Sequence, residues 1–115
     1  MPIQVKRAYE PANRRDGKRF LVDRIWPRGV KKDELSIEAW LKDLGPSTEL
    51  RKWFGHDPAR WDAFRKRYFE ELAEKDELWG PLLAAARKQT VTLVYSARDE
   101  AHNQAVALKE FLESR

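Results

Sequence analysis

Three short stretches of the chain carry the hydrophobic pattern of β-strands. Residues 3–9, IQVKRAY, alternate apolar and polar positions, as a half-buried strand does. Residues 19–23, RFLVD, and residues 90–96, TVTLVYS, are largely apolar or β-branched, which is typical of strands buried on both faces. Such strands, separated by helices, predict a single layered α/β domain: a small, mostly parallel sheet of about three strands covered by helices.

Two helices are predicted in the middle of the chain. The first should begin at Ser36, as its N-cap, and stop at Gly45-Pro46. The second is a short helix over 47–54 with Ser47 as its N-cap. The apolar residues of the first helix follow helical spacing and should face the core: Ile37, Trp40, Leu41 and Leu44.

The remaining helices lie in the second half. One should begin at Asp57, with Pro58 in its first position, and others are predicted over 81–89 and 100–114. Their inward-facing positions are Trp61, Phe64, Tyr68 and Leu72 in the first, and Ala101, Ala105, Leu108 and Leu112 in the last.

The link between the first two strands leaves their pairing open. Residues 10–18, EPANRRDGK, are too few for a standard crossover helix between parallel strands. The dipeptide Asp16-Gly17 suits a turn, so an antiparallel hairpin is one alternative. A parallel arrangement is the other.

Composition indicates a globular protein with a heavily charged exterior. The chain has 115 residues, of which 42% are hydrophobic and 37% charged, so we treat residues 1–115 as one domain with a core of its own. It has no cysteine, no apolar run that could span a bilayer and no apolar stretch of a signal peptide at its start. We therefore expect a cytoplasmic protein without a membrane partner; its oligomeric state stays open.

Positive charge is concentrated at the start. Residues 1–32 hold ten Lys or Arg and three Asp or Glu, while the rest of the chain holds thirteen and sixteen. Such a basic segment attracts phosphates, whether on a metabolite or on nucleic acid, although a solvated loop is an alternative reading of the arginines in NRRDGKR.

Polar residues follow both buried strands. Ligands of α/β sheets bind beyond the carboxyl ends of the strands, which here carry residues 23–29, DRIWPRG, and residues 96–103, SARDEAHN. The second segment should lead into the first turn of a helix, whose free N–H groups favour an anion. The candidate ligand-binding residues are Arg24, Trp26, Arg28, Arg51, Ser96, Arg98, Asp99 and Asn103.

Candidates for proton transfer are few. His56 and His102 are the two histidines of the chain, and Asp23 or Asp99 could orient one of them. The catalytic candidates are thus His102, Asp23 and His56, although an ion pair between Asp23 and Arg24 that holds Arg28 or Arg98 is an alternative. A hydrolase triad of Ser96, His102 and an aspartate would require a particular backbone path.

No motif points to a cofactor or a metal. The chain lacks a Walker loop, GxGxxG, GxSxG and any close pair of metal ligands such as HxxxH, so we expect neither. Whether the protein is an enzyme stays open.

Three functions remain. The first is binding of a small anionic or phosphorylated ligand, with or without a reaction. The second is a nucleic-acid-binding accessory protein that uses Tyr9 or Trp26 for stacking together with six basic side chains: Lys6, Arg7, Arg14, Arg15, Lys18 and Arg19. The third is a domain that contacts another protein through an apolar face that includes Trp53.

Long motifs in the chain resemble one known family. The segments GKRFLVDRIWPRGVKK, WLKDLGPSTELRKWFGHDPARWDAFRKRY and VTLVYSARDEAHNQAVALKEFL are similar to the DUF488 family, in its YeaO-like branch, over nearly the entire chain. The family is a domain of unknown function with an α/β fold, so the resemblance implies a fold but no reaction. Its motif positions here are Asp23, Arg24, Trp26, Pro27, Arg28, Gly29, Arg51, Trp53, Phe54, His56, Tyr95, Ala97, Asp99, His102 and Asn103.

The chain departs from part of the wider family. Members outside this branch have Cys where this chain has Ser96, and Cys-His-Arg near Ala101-His102-Asn103. Because this chain has no thiol, thiol chemistry proposed for those members does not extend to it.

Overall fold

The strands form one parallel sheet in the order β1-β4-β2-β3. The computed structural model describes residues 2–115, with strands β1 (Ile3–Arg7), β2 (Lys18–Leu21), β3 (Ala39–Trp40) and β4 (Val91–Tyr95). Each neighbouring pair is parallel. The predicted α/β class and mostly parallel sheet are confirmed, and the two-residue edge strand β3 makes four strands where about three were expected.

Five helices accompany the sheet: α1 (Lys32–Leu35), α2 (Thr48–Phe54), α3 (Trp61–Ala73), α4 (Asp76–Lys88) and α5 (Gln104–Glu113). Short 3-10 turns lie at Arg14–Asp16, Lys42–Leu44 and Pro58–Arg60. Within residues 2–115, no helix is both long and apolar enough to cross a membrane.

The starts of α2 and α3 follow their capping residues. The Ser47 hydroxyl accepts a hydrogen bond from the Leu50 N–H and so caps α2, as predicted. Asp57 caps the 3-10 turn that begins at Pro58 and continues directly into α3. The apolar stripe of α3 is largely buried, with Phe64, Tyr68 and Leu72 in the core and Trp61 packed against it.

The helix predicted from Ser36 to Gly45-Pro46 is wrong. Ser36 ends the short helix α1 with a left-handed backbone (φ 51°). The following residues run along β2, where the Glu38 and Leu41 N–H groups donate to carbonyls of Arg19 and Leu21. Pairing with the open edge of β2 outweighs helical spacing, and Trp40, expected in the core, is 38% exposed.

Two other helix starts differ from the prediction. Helix α4 begins at Asp76 and includes Pro81 instead of starting there. Helix α5 begins at Gln104, because Asn103 is its N-cap and accepts from the Val106 N–H. Ala101 and His102 therefore precede the helix, and Ala101 is exposed instead of facing inward.

The hairpin alternative for the first two strands is wrong, because β4 lies between β1 and β2. The connection passes over β4, where the Asp16 carbonyl accepts from the Thr92 hydroxyl at 2.6 Å and the Lys18 N–H donates to Thr90. Gly17 makes this close passage possible: its φ is +64°, and a Cβ there would lie 2.1 Å from the Thr90 carbonyl oxygen.

The sheet separates two hydrophobic clusters of unequal size. Successive strand residues point to opposite faces, so Phe20 and Leu93 join the main core with α2 to α5. Leu21 and Val94 join a smaller cluster covered by α1 and the segment after β2. Both faces of β2 and β4 are thus buried, and the ligand-accessible part of these strands is their carboxyl end.

Candidate functional site

The carboxyl ends of β2 and β4 open side by side into one cleft of about 810 Å³. Helix α2 and the segment before it complete its wall. Twenty residues line it: Tyr9, Asp23, Arg24, Ile25, Trp26, Pro27, Arg28, Pro46, Thr48, Arg51, Lys52, Phe54, His56, Phe64, Ser96, Ala97, Arg98, Asp99, Asn103 and Gln104. Every candidate catalytic or ligand-binding residue predicted for the strand ends lies here except His102, whose neighbours Asp99 and Asn103 line the cleft.

Asp23 joins the three elements that meet at this edge. One carboxylate oxygen accepts from the Ser96 N–H at 2.9 Å and from the Ser96 hydroxyl at 2.6 Å. The other accepts from the side-chain amide of Gln104, in the first turn of α5. Burial raises the pKa of Asp23, and the hydrogen bonds from Ser96 and the charge of Arg51 oppose this only in part. The carboxylate thus positions the exit of β4 and the start of α5.

Arg24 is held by backbone oxygens. Its Nε donates to the Pro46 carbonyl at 2.6 Å and its Nη2 to the Gly45 carbonyl at 3.1 Å. Among the ion pairs of residues 2–115, none involves Asp23 or Arg24, so the predicted ion pair between them does not form. The reason is that Asp23 is already bonded to neutral donors and Arg24 to the loop before α2.

Helix α2 contributes Arg51 and, just beyond its end, His56. The Arg51 Nε is buried and has no hydrogen-bond partner among the described residues, and its Nη2 has one long contact, 3.5 Å to the Thr48 hydroxyl. His56 is exposed in a left-handed backbone conformation (φ 56°), with its ring 6.2 Å from that of Phe54. Among the described residues that line the cleft, Arg51 is therefore the one with a buried side-chain donor that lacks an acceptor.

Side chains of the segment after β4 accept hydrogen bonds from nearby backbone N–H groups. Asp99 accepts from the Ala101 and His102 N–H groups, and its second oxygen lies 2.9 Å from His102 Nδ1. The bonds from Ala101 and His102 lower the pKa of Asp99. Since the Asn103 side chain also accepts from the Val106 N–H, three backbone N–H groups of this region are already bonded within the protein.

The two proposed histidines differ in their surroundings. The ring of His102 packs edge-on against Trp61, 5.3 Å between ring centres, and His102 does not line the cleft. No Ser-His-Asp relay forms, because the Ser96 hydroxyl bonds directly to Asp23 while His102 bonds Asp99. Within residues 2–115, no three His, Asp or Glu side chains come together as a metal site.

The rim carries the exposed cations. Arg28 and Arg98 are exposed, and their guanidinium groups make no hydrogen bond to the described residues. Trp26 is fixed beside them, since its Nε1 donates to the Val30 carbonyl at 2.7 Å and its ring meets Trp40 edge-on. The two arginines of the rim are thus without a protein partner among the described residues, while Trp26 is fixed by its contacts.

Several residues of the lining are not among those predicted from the sequence. They include Gln104, which bonds Asp23, Lys52, beside Arg51, and the aromatic residues Phe54 and Phe64. Ile25 is a further one, although it stands inside the segment DRIWPRG. A signal existed for Ile25, an apolar residue between polar neighbours, but the position of α2 against the sheet is not encoded in local spacing.

The basic residues of the N-terminal third are divided by the fold. Lys6 and Arg19 both bind the buried carboxylate of Asp16, and Arg7 donates to the carbonyls of Ser96 and Ala97. Hydrogen bonds to Asp16 from the Asn13 N–H, Lys6 and Arg19 outweigh the effect of its burial and lower its pKa. The cations of this segment that stay exposed are Arg14 and Arg15 at the turn, Arg28 on the cleft, and Lys31 and Lys32.

Trp53 is not an open apolar contact. It is half-buried, and the guanidinium groups of Arg60 and Arg67 lie 5.3 and 4.2 Å from its ring centre.

Comparison with known proteins places the chain in a family. A family described as "Inactive DUF488-N3 subclade" matches residues 2–115. The chain belongs to the DUF488 family. The DUF488 chain is 46% identical over 114 residues to the uncharacterized protein YeaO of Escherichia coli strain K12, with 99% of both chains covered. This confirms the resemblance found in the sequence.

More distant relatives share the full length as well. Two uncharacterized proteins, Rv3073c of Mycobacterium tuberculosis strain H37Rv and Mb3100c of Mycobacterium bovis, are each 42% identical over 113 residues, which cover 98% of this DUF488 chain and 95% of theirs. No solved structure matches the chain significantly.

Proposed function

We propose that this DUF488 protein binds a small anionic ligand, such as a phosphate ester, in the cleft at the ends of β2 and β4. One observation carries the proposal: Arg51 lines the cleft, and its buried Nε has no acceptor among the described residues. A buried donor without a partner costs free energy, and an anion in the cleft would supply the missing acceptor.

The charge of the lining supports an anion. Five basic side chains border the cleft, against two carboxylates: Arg24, Arg28, Arg51, Lys52 and Arg98, and Asp23 and Asp99. Both carboxylates are occupied by donors of the protein itself. The basic side chains therefore dominate the field that a ligand would meet.

Binding without turnover fits the site better than catalysis. Asp23, one of the proton-transfer candidates, already accepts three hydrogen bonds, and the subclade to which the chain belongs is described as inactive. In this proposal Asp23 is a positioning residue, and His56 stands at the rim of the cleft.

Thermal unfolding with added anions tests the proposal. We expect inorganic phosphate, glycerol phosphate or nucleoside monophosphates to raise the Tm; a ligand at a hundred times its Kd contributes about 2.7 kcal/mol, or roughly 10 °C for a domain of this size. Arg51→Gln should weaken binding about tenfold or more, because it removes hydrogen bonds to a charged group.

The matched control is Arg87→Gln, which removes an exposed arginine of α4 outside the cleft. It should leave the ligand-induced shift intact. Equal shifts for the two variants and the wild type would show that phosphate binds elsewhere, and the absence of any shift with all three probes would refute the proposal.

A further inference from the structure

Two of the exposed apolar side chains border the cleft. Among the described residues, the large hydrophobic side chains that are exposed are Tyr9, Ile25, Trp40 and Leu78. Ile25 is 66% exposed and Tyr9 47%, and both line the cleft, whereas Trp40 and Leu78 border a separate small hollow. A single exposed apolar residue is common, but two on the mouth of one basic cleft need a reason.

The chain holds Ile25 in this exposed place. The residue before it, Arg24, is bonded to the Gly45 and Pro46 carbonyls, and the residue after it, Trp26, is bonded to the Val30 carbonyl. Tyr9 is likewise fixed, since its hydroxyl donates to the Arg28 carbonyl at 3.1 Å and the Arg7 guanidinium lies 5.1 Å from its ring centre. A pre-arranged apolar rim loses little entropy when a ligand covers it.

Apolar surface continues into the interior of the cleft. Phe54 and Phe64, 5% and 2% exposed, stack with their ring centres 4.3 Å apart and still contribute to the lining. The volume of about 810 Å³ is that of a site for a drug-sized molecule. Inorganic phosphate would leave most of this space, and nearly all of its apolar lining, uncovered.

We infer that the ligand is amphipathic: an anion that also carries an aromatic or branched apolar group, which covers Ile25 while the anionic end meets Arg51. The inference rests on the proposed function, since it names the ligand class of the same cleft. It predicts a preference for aryl phosphates over phosphate esters of small polar alcohols.

Calorimetric titration with two phosphate monoesters tests the preference. We expect the wild-type protein to bind phenyl phosphate about tenfold more tightly than glycerol phosphate, the gain that results from burying roughly one aliphatic side chain. Ile25→Ser should abolish the preference by weakening phenyl phosphate binding alone. Leu78→Ser, an equally polar replacement of an exposed leucine away from the cleft, should keep it.

The outcomes separate this inference from the proposed function. Equal affinities for the two esters, or a preference that survives in Ile25→Ser, would overturn the inference and leave anion binding intact. No binding of either ester would overturn both. If light scattering showed that Ile25→Ser reduces the mass of an oligomer instead, Ile25 would belong to a contact between copies and the inference would be wrong.

Discussion

Asp16 and Asp23 are both buried, yet their surroundings shift their pKa values in opposite directions. Asp16 has two cations as partners, Lys6 at 3.2 Å and Arg19 at 2.7 Å, which favour the carboxylate. Asp23 has burial as its largest influence, which outweighs the opposing hydrogen bonds from Ser96 and Gln104 and so favours the protonated form. Asp16 thus takes part in ion pairs, whereas Asp23 accepts several hydrogen bonds from neutral groups.

The opposite shifts predict opposite pH dependences for Asp16→Asn and Asp23→Asn. The stabilisation from Asp16 is present above the unfolded-state pKa of about 3.9 and is lost as the pH falls through the lower folded pKa. That from Asp23 is present below about 3.9 and is lost as the pH rises through the higher folded pKa. The cost of Asp16→Asn should therefore grow as the pH rises towards about 4, whereas the cost of Asp23→Asn should shrink as the pH rises above about 4.

Urea unfolding at several pH values measures both costs. Near pH 7, Asp16→Asn should cost about 3 kcal/mol, because it leaves the buried guanidinium of Arg19 without its anion. Asp62→Asn is the control: that side chain is 90% exposed in its pair with Arg65 and should cost less than about 0.5 kcal/mol. Parallel pH profiles for the two buried aspartates would contradict the assignment of their partners.

At the scale of elements, the sequence predicts the strands and helix starts that burial and local capping determine. It does not predict the structure that depends on pairing with another strand. The strands β2 and β4 are recognisable because both of their faces are covered, and Ser47 and Asp57 are recognisable because capping is local. Residues 36–46 have helical spacing, but their backbone meets the open edge of β2. The position of β4 between β1 and β2 could not be predicted either, since no local pattern records it.

The crossover from β1 to β2 depends on Gly17, and a comparison with Gly29 tests this. Both glycines have positive φ, +64° and +79°, but a Cβ at Gly17 would meet the Thr90 carbonyl at 2.1 Å and one at Gly29 would meet open space. Gly29→Ala should cost only the free energy of holding a non-glycine residue at positive φ, about 1 kcal/mol. Gly17→Ala should cost more than about 3 kcal/mol in urea unfolding, because the crossover must move away from β4.

Equal costs for these two variants would mean that the backbone conformation alone matters and that the passage over β4 is looser than its contacts indicate. A large cost at Gly17 combined with intact ligand binding would further show that the last part of the crossover, at the start of β2, acts independently of the cleft at the carboxyl ends of the strands.

For the whole molecule, the fold decides what the positive charge can do. The sequence shows one basic segment, but the structure distributes it: Lys6 and Arg19 face the Asp16 carboxylate, Arg24 and Arg28 line the cleft, and Arg14 and Arg15 stay exposed on a turn. That the two strand ends share a cleft follows from parallel order and was predictable. Which cations are left free depends on partners distant in sequence, which no local pattern reveals.

This distribution predicts that binding to nucleic acid is weak and that its affinity falls only gradually with added salt. Outside the cleft, residues 2–32 offer five basic side chains: Arg14, Arg15, Lys31, Lys32 and, weakly paired with Glu38 at 3.9 Å, Lys18. Five phosphate contacts give a slope of about −3 to −4 for the logarithm of affinity against that of salt concentration on a single strand. Fluorescence anisotropy with a labelled single-stranded oligonucleotide measures this slope, and Arg14→Ala with Arg15→Ala should reduce it further while phenyl phosphate binding is unchanged. A slope steeper than about −6 would require phosphate contacts from more cations than the N-terminal third leaves free, and would favour the nucleic-acid reading over a small anionic ligand.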